Sequence, residues 1–385
     1  MRDEVPADRP GGQVAKASSR SSVVQAGRDV RITYKQSPYP SPRPAGVVLL
    51  AGAVCTSGLV LLLSGLVNLA VPVWTTLLAV MAGAVTALPL RRGRRVFLVT
   101  SAFNRKPWIV ELMQHVHGTL NRNGLDLVLK APEHDYDAAA QAHHLRHLAR
   151  SRRDYLGGLV VATEVHRLRP ELVEFCADFR APVVFLDIEP FDDEADYPPN
   201  TAFVGYLPAD IGVLAGQWLA DHFTRHGVRR PHLLILAGLE QVDRQRCCAE
   251  VLRSRVDGVS IVVDDSCAFQ RSRARDAVQA HVRELDARDG RLDAVFCTDD
   301  EMALGAVDAL RGTHSPTTGD TVIIGVDGAP EALALIDNGT GPLRATVVQD
   351  SRRLAESAIH VLERMRRGRA TPKQTALRPE VHQAK

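Results

Sequence analysis

The sequence lacks the short motifs on which the commonest catalytic chemistries depend. It contains no Gly-x-Ser-x-Gly turn around a nucleophile, and residues 238–241 lack the spaced glycines and the Lys-Ser or Lys-Thr ending of a phosphate loop. The six cysteines show neither metal-ligand spacing nor a disulfide framework, and several lie in apolar stretches typical of small buried side chains. We therefore expect a protein without enzymatic activity, cofactor or metal.

An excess of one charge is also missing. The formal net charge is +2, and the arginines are scattered rather than gathered in one stripe, which argues against a nucleic-acid partner. His143 and His147 lie one helical turn apart in AAAQAHHLRHLAR. They form either a metal pair or part of a solvated helix face, and no third ligand is evident in the sequence.

Charged residues are absent altogether from residues 45–90, a stretch about twice as long as one membrane-spanning helix requires. Asn68 and Pro72 interrupt the run, which predicts a transmembrane hairpin of two helices, about 46–67 and 72–89. A buried soluble hairpin is the alternative. Basic residues flank the run on both sides and none lies in its turn, so the positive-inside rule predicts a two-span protein of the cell membrane with both ends in the cytoplasm.

Residues 1–44, ahead of this run, are rich in Ser, Pro, Gly and Arg. Such a composition buries too little apolar surface to offset the ordering entropy, which predicts a mostly disordered tail of cytoplasmic type. Within it, VVQAGRDVRITY at residues 23–34 is compatible with a hairpin or a docking strand.

After Arg95, short β-branched runs alternate with amphipathic helical stretches, as in βαβ units whose parallel sheet is covered on both faces. About ten strands exceed one comfortable doubly wound sheet, so we expect an α/β fold with two lobes. The predicted strands are 96–100, 125–130, 157–162, 182–187, 201–206, 232–238, 260–265, 294–299, 322–327 and 345–350.

Acidic residues stand at the ends of three of these strands: Asp187, Asp299 and Asp327. In open α/β sheets, ligands bind beyond the carboxyl ends of the strands, so these side chains either face a crevice or have a structural role. Asp299 is equally suited to cap the helix that follows, and Asp327 before Gly328 to form a turn.

Three blocks in the C-terminal half resemble the sugar-binding branch of the type I periplasmic binding proteins, which also supply the ligand domains of lactose-repressor-like regulators. The blocks are DAVFCTDDEMALGAVDAL, VIIGVDGAPEALALIDNG and RATVVQDSRRLAESAIHVLERMRRG. The likeness runs over about residues 95–380. It implies two lobes, joined by three chain crossings, that close over a small polar solute. Lobe 1 would comprise about 95–203 and 350–376, and lobe 2 about 204–348 and the C-terminal strand.

The resemblance also implies which residues bind the solute. Asp187, Asp299, Asp327 and Gln349 match residues that hydrogen-bond sugar hydroxyls, and Asp299 stands where the family commonly has Asn. Arg244 falls where the family places a hydroxyl-binding arginine, with Arg246 as a rival, and Trp108 in KPWIVEL matches an aromatic that stacks on the sugar ring. A core position at the start of its helix is the alternative for Trp108. The sequence departs from the family at Leu207-Pro208 and Ile188, where two polar contacts are expected.

Three function classes follow from these residues. The first is a membrane-anchored solute-binding protein, with a monosaccharide or polyol as its ligand and an ABC-importer permease as its partner; the resemblance places its soluble domain outside the cell. The second is a membrane-tethered cytoplasmic sensor that signals to a protein partner, which the basic flanks favour. The third, a transcriptional regulator, is weakened because the apolar run stands where a helix-turn-helix is expected.

Overall fold

The computed structural model describes residues 21–26, 29–34, 94–102, 106–238, 242–313 and 315–384. In the N-terminal unit, β1 (Ser21–Ala26) and β2 (Asp29–Tyr34) form an antiparallel hairpin. This hairpin coincides with the stretch for which the sequence offered a hairpin or a docking strand, and the disorder expected for most of residues 1–44 stays a prediction. The predicted transmembrane hairpin lies outside the described residues; among those described, no helix has the length and apolar character needed to cross a membrane.

The C-terminal unit contains two six-stranded sheets. The first sheet has the order β13-β7-β6-β5-β3-β4, and all its neighbouring strands pair in parallel. Its strands are β3 (Arg95–Val99), β4 (Asp126–Lys130), β5 (Tyr155–Val161), β6 (Val183–Leu186), β7 (Thr201–Tyr206) and β13 (Gln374–Leu377). We call this sheet and its helices lobe 1.

The second sheet has the order β14-β12-β11-β10-β8-β9, in which only the pairing of β14 with β12 is antiparallel. Its strands are β8 (His232–Leu236), β9 (Ser260–Asp264), β10 (Ala294–Cys297), β11 (Val322–Asp327), β12 (Leu343–Val348) and β14 (Glu380–Gln383). We call this sheet and its helices lobe 2. Every residue of β7 and of β11 is buried, as expected for parallel strands covered on both faces.

Helices connect the strands in both lobes. Those of lobe 1 are α1 (Pro107–Arg122), α2 (Ala138–Arg150), α3 (Val165–Phe179) and α9 (Ser351–Arg366). Those of lobe 2 are α4 (Pro208–Arg225), α5 (Asp243–Arg255), α6 (Arg271–Asp286), α7 (Asp300–Arg311) and α8 (Pro330–Asn338). A proline with its pre-set φ opens α1, α4 and α8. The two-lobed α/β fold with parallel sheets is confirmed.

The chain crosses between the lobes three times: after β7, after β12, and between β13 and β14. The first crossing follows Tyr206, so residues 204–206 belong to the first sheet. Two of the crossings are tied together, because the Tyr206 hydroxyl donates to the Asp350 carbonyl oxygen at 3.2 Å. Within each sheet, the strand order reverses around β3 or around β8, and this reversal opens a crevice at the carboxyl ends of the strands. The two crevices belong to the same cleft between the lobes.

Candidate functional site

Four buried polar side chains follow strands at the carboxyl ends of the two sheets. Asp187 follows β6, Asp299 follows β10, Asp327 ends β11 and Gln349 follows β12; none is more than 5% exposed. Asp187 and Asp327 have positive φ angles of 65° and 112°. Non-glycine residues rarely adopt such conformations, and those that do cluster at functional sites.

One hydrogen bond and one ion pair join three of the predicted residues directly. The Gln349 amide nitrogen donates to Asp327 Oδ1 at 2.7 Å, and Arg244 Nη1 lies 4.0 Å from the same oxygen. Arg244 Nη1 also donates to the Thr298 carbonyl oxygen at 2.7 Å, next to Asp299. Lobe 2 and the second crossing therefore hold one connected polar group.

The position of Arg244 distinguishes it from its rival Arg246. Arg244 is 1% exposed, whereas Arg246 is half exposed and pairs with Asp243 and Glu250 on its own helix. α5 can lie this deep because Gly212 of α4 has no side chain: a Cβ there would come within 2.3 Å of the Arg244 carbonyl oxygen. Close packing of the two helices thus sets the depth of the guanidinium.

The adjacent residues Asp299 and Asp300 have different roles. Asp299 Oδ1 caps α7 by accepting a hydrogen bond from the Met302 amide at 2.8 Å, while Asp299 Oδ2 is buried and has no partner among the described residues. Asp300 is used on both oxygens, by the Ala329 amide at 2.7 Å and the Thr346 hydroxyl at 2.8 Å. Asp299 is therefore a helix cap with one oxygen left for a ligand, and Asp300 is structural.

Lys106, which the sequence reasoning passed over, enters the same cleft from lobe 1. It is 8% exposed, stands directly before Pro107 at the start of α1, and its ammonium lies 4.9 Å from the centre of the Phe269 ring of lobe 2. Burial lowers the pKa of Lys106, but Tyr136 and the three aspartates of the cleft outweigh that effect and raise the pKa above its ordinary value. We define the cleft cluster as Lys106, Asp187, Arg244, Asp299, Asp327 and Gln349.

Burial has the largest effect on the pKa values of two aspartates of the cleft cluster. Burial raises the pKa of Asp327 from 3.8 to about 6, against the opposing effect of Lys106 and Arg244, while Asp299 and Asp187 raise it further. Burial also raises the pKa of Asp299, again opposed by Lys106. Burial therefore favours the protonated form of both carboxyl groups more strongly than the cations of the cluster oppose it.

Trp108 lies in the core beside this cluster. Its side chain is 3% exposed among the apolar residues of α1 and the first sheet, and its indole N–H donates to the Gln349 carbonyl oxygen at 2.8 Å. This bond ties the start of α1 to the second crossing. The stacking of Trp108 on a sugar ring stays a prediction.

Two other aromatic rings meet across the cleft. Tyr136 of lobe 1 and Phe269 of lobe 2 have ring centres 5.9 Å apart, and both have positive φ angles. Phe269 borders a cavity of about 1080 Å³ that is also lined by Lys106, Gln270 and Glu301. The cleft is therefore open to solvent beside the buried cluster.

Four buried polar atoms around the cluster have no hydrogen-bonding partner among the described residues: Arg244 Nε, Thr298 Oγ1, Asp299 Oδ2 and Gln349 Oε1. Buried polar groups in folded proteins are nearly always bonded, so such a concentration needs an explanation. A molecule with several hydroxyl groups is able to donate to the two acceptors and accept from the guanidinium.

The residues considered for metal binding or disulfides lie elsewhere. His143 and His147 are exposed on α2, and no group of three His, Cys, Asp or Glu side chains in the described ranges is arranged to hold a metal ion. Burial raises the pKa of the Cys176 and Cys267 thiols to about 12, as expected for inert small side chains. Leu207 and Pro208 serve the fold, at the N-cap and first position of α4.

Comparisons with known proteins agree with this architecture. The chain is 25% identical over 273 residues to the HTH-type transcriptional repressor PurR of Aliivibrio salmonicida, covering 69% of this chain and 72% of the repressor. A solute-binding protein of Actinobacillus succinogenes with bound D-allose superposes with a TM-score of 0.66 at 17% identity, over 75% of this chain and 97% of that protein. The Caulobacter myo-inositol binding protein has a TM-score of 0.66 at 18% identity, over 77% and 95% of the two chains. The periplasmic binding protein domain model matches residues 96–370, and the chain belongs to that family.

Proposed function

We propose that this protein is a non-catalytic binding protein for a small polyhydroxylated solute, a sugar or polyol, which it holds between two closing lobes. One observation carries the proposal: polar side chains from both lobes and from one crossing converge in a cleft and leave four buried polar atoms unpaired among the described residues. A polyol satisfies both kinds of atom because each hydroxyl donates and accepts.

Binding and closure are coupled in this proposal through the position of each group. Arg244, Asp299 and Asp327 are part of lobe 2, and Asp187 and Lys106 are part of lobe 1, so a ligand that bonds to both sets favours the closed arrangement. A ligand shifts such an equilibrium only through its different affinity for the two states. The change of lobe angle would then be what a partner protein recognises.

The compared proteins support this class of ligand. The two solved structures contain bound D-allose and myo-inositol, and the related repressor belongs to the regulators that share the fold. A polyhydroxylated solute fits the two solved structures, and a non-catalytic role fits all three. A catalytic role has no support from any of them.

Membrane attachment through residues 45–90 is part of the proposal. Attachment with the binding domain outside the cell suits delivery of solute to an ABC-importer permease, and attachment with the domain in the cytoplasm suits a sensor that acts on a protein partner. The basic residues on both sides of the apolar run favour the sensor. Protease access to residues 95–385 in intact cells separates the two, because digestion from outside requires the external orientation.

Ligand-induced stabilisation of the full chain in detergent tests the binding function. We expect members of a sugar and polyol panel to raise the melting temperature, with a stabilisation of about 2.7 kcal/mol at a ligand concentration one hundred times the Kd. Asp327→Ala should abolish the shift because it removes the carboxylate that accepts a hydrogen bond from Gln349 and pairs with Arg244.

The matched control is Asp178→Asn, which removes a carboxylate on an exposed position in the last turn of α3. It should keep the full ligand-induced shift. A panel without any stabilising member, or the same shift in Asp327→Ala as in the unmodified chain, would contradict the proposal. The melting temperature of Asp327→Ala without ligand shows whether the variant is folded.

A further inference from the structure

The cleft cluster contains three carboxylates and two cations, all buried. Asp187, Asp299 and Asp327 are at most 5% exposed, Lys106 is 8% exposed and Arg244 is 1% exposed. When all five groups are ionised, one negative charge is left without a counterpart. A buried charge without a partner is costly, so the closed cleft favours either a bound proton or a bound cation.

Arg271, a cation at the edge of the large cavity, is engaged outside the cluster, because it pairs with Asp308 at 2.7 Å and with Glu331 at 3.0 Å. The buried Asp300 adds a further carboxylate next to the cluster rather than a compensating charge. Neither residue therefore balances the one carboxylate by which the acids of the cleft cluster outnumber its cations, among the residues that the structure describes.

Hydrogen-bonding capacity is unbalanced in the same direction. Within the cleft cluster, two fully buried acceptors, Asp299 Oδ2 and Gln349 Oε1, and one fully buried donor, Arg244 Nε, have no partner among the described residues. The orientation of the Gln349 amide follows from its bond to Asp327, because only the amide nitrogen is able to donate to a carboxylate. Among the fully buried, unpaired atoms of the cleft cluster, acceptors therefore outnumber donors.

An ammonium group on the ligand would offset both the excess of carboxylates over cations and the excess of unpaired acceptors over unpaired donors. It brings one positive charge and three N–H donors, and it accepts nothing. A neutral hydroxyl supplies a single donor and leaves the charge as it was, and a carboxylate on the ligand would add a second uncompensated negative charge. The chemistry of the cleft thus ranks ligands of equal size as cationic, then neutral, then anionic.

We infer that the solute is a polyhydroxylated molecule bearing an ammonium group, an amino sugar or amino polyol, and that Asp299 Oδ2 accepts from that group. This inference rests on the proposed function and narrows its ligand class. The hydroxyls of the ligand bond to Arg244 and Gln349 as in the proposal above, and the ammonium lies on the Asp299 side of the cleft. Lys106 keeps its place beside Phe269.

Three matched series of probes test the inference by calorimetric titration of the full chain in detergent at pH 7. Each series keeps one hexose skeleton and changes its charge: D-glucosamine, D-glucose and D-glucuronate, with the corresponding galactose and mannose compounds. In the series that fits best, we expect the amine to bind at least about tenfold more tightly than the neutral sugar, equal to about 1.4 kcal/mol, and the uronate most weakly.

The variant Asp299→Asn removes the negative charge of this side chain without removing the cap of α7. The asparagine side-chain oxygen still caps α7, because Asn is as good an N-cap as Asp, but the excess negative charge is gone. The variant should then bind the amine at most about threefold more tightly than the neutral sugar, because a charge-assisted hydrogen bond is lost. Asp178→Asn on exposed α3 is the matched control with the same chemical change, and it should keep the preference.

The outcomes distinguish this inference from the proposed function. If the neutral sugar binds as tightly as the amine in the unmodified chain, the ammonium inference is wrong and the proposed function stands. If Asp299→Asn keeps the full preference, the assignment of Asp299 is wrong. If no member of any series binds, the proposed function fails and the inference fails with it.

Discussion

The two lobes contribute to the cleft in different ways. In lobe 2, hydrogen bonds tie the polar groups together: Arg244 to the Thr298 carbonyl, Asp299 to the Met302 amide, and Asp327 to Gln349 at the crossing. Lobe 1 contributes Asp187 at the end of β6 and Lys106 on a long side chain at the start of α1. Lobe 2 is therefore a preorganised platform, and lobe 1 contributes charged side chains.

This difference has consequences for binding. A preorganised group loses little conformational freedom when a ligand arrives, so most of the directional hydrogen bonding is expected from lobe 2. A lysine ammonium acts as a compact charge on a flexible stem and is less demanding of geometry. Substitutions in lobe 2 should therefore cost more than substitutions in lobe 1.

The largest effect is expected from Arg244→Met in lobe 2. The variant removes the cation that is 4.0 Å from Asp327 and leaves the Thr298 carbonyl oxygen without its donor. We expect the free energy of unfolding to fall by about 4 kcal/mol, as for other buried charge pairs that lose one member. Denaturant unfolding measures the change. The control is Arg246→Met, on the exposed face of the same helix. If Arg244→Met lowers the free energy of unfolding no more than this control does, Arg244 does not hold the polar groups of lobe 2 together.

Lys106→Met in lobe 1 should have a smaller effect that depends on pH. Without this ammonium the three aspartates of the cluster are less neutralised, so we expect a loss of about 2 kcal/mol at pH 8. The loss should shrink at pH 5, where a proton bound to Asp327 replaces part of the missing charge. Denaturant unfolding at the two pH values checks this, and a loss independent of pH would show that the charge of Lys106 has no role.

Asp300→Asn sharpens the distinction between the neighbouring acids Asp299 and Asp300. Both oxygens of Asp300 are used as acceptors, so an amide group would face a donor and lower the free energy of unfolding by about 1.5 kcal/mol. Ligand preference should not change, because neither oxygen faces the cleft. Calorimetric titration with the probe series tests this; a change of preference equal to that of Asp299→Asn would show that the two acids act together.

For Asp327→Asn, the expected effect is a change of stability with pH. The folded-state pKa of Asp327 lies above its ordinary value, at about 6 against 3.8, so its contribution to stability is most favourable at low pH and is lost as pH rises through that window. The variant has no such loss. Its free energy of unfolding relative to the unmodified chain should therefore rise between about pH 4 and pH 6, by at most about 1.4 kcal/mol per pH unit. A constant difference over that range would contradict the raised pKa.

Much of the architecture was predictable from residue patterns. All ten predicted strands are strands of the structure, because β-branched runs bounded by polar residues satisfy a parallel sheet that is buried on both faces. The short strands β13 and β14, QTAL and EVHQ, lie at sheet edges and are only partly buried, so they leave a weaker apolar pattern. The hairpin at residues 21–34 was only one of two interpretations of its stretch.

The site was predictable in part, and the limit can be seen at particular residues. Strand pattern and family resemblance were sufficient to select four candidates at strand ends: Asp187, Asp299, Asp327 and Gln349. Lys106 left a weak signal, a lysine directly before the proline that opens α1, because its environment is created by side chains from the other lobe.

The sequence by itself determined the alternation of strands and helices and the acidic residues at the strand ends, because both follow from local periodicity and from the direction of parallel strands. Only the tertiary structure decided which of the two neighbouring acids keeps an unpaired oxygen, which arginine is buried, and that three carboxylates and two cations are buried together. These properties are sums over residues far apart in the chain. Electrostatic interaction depends on distance and burial, which exist only once the two lobes meet.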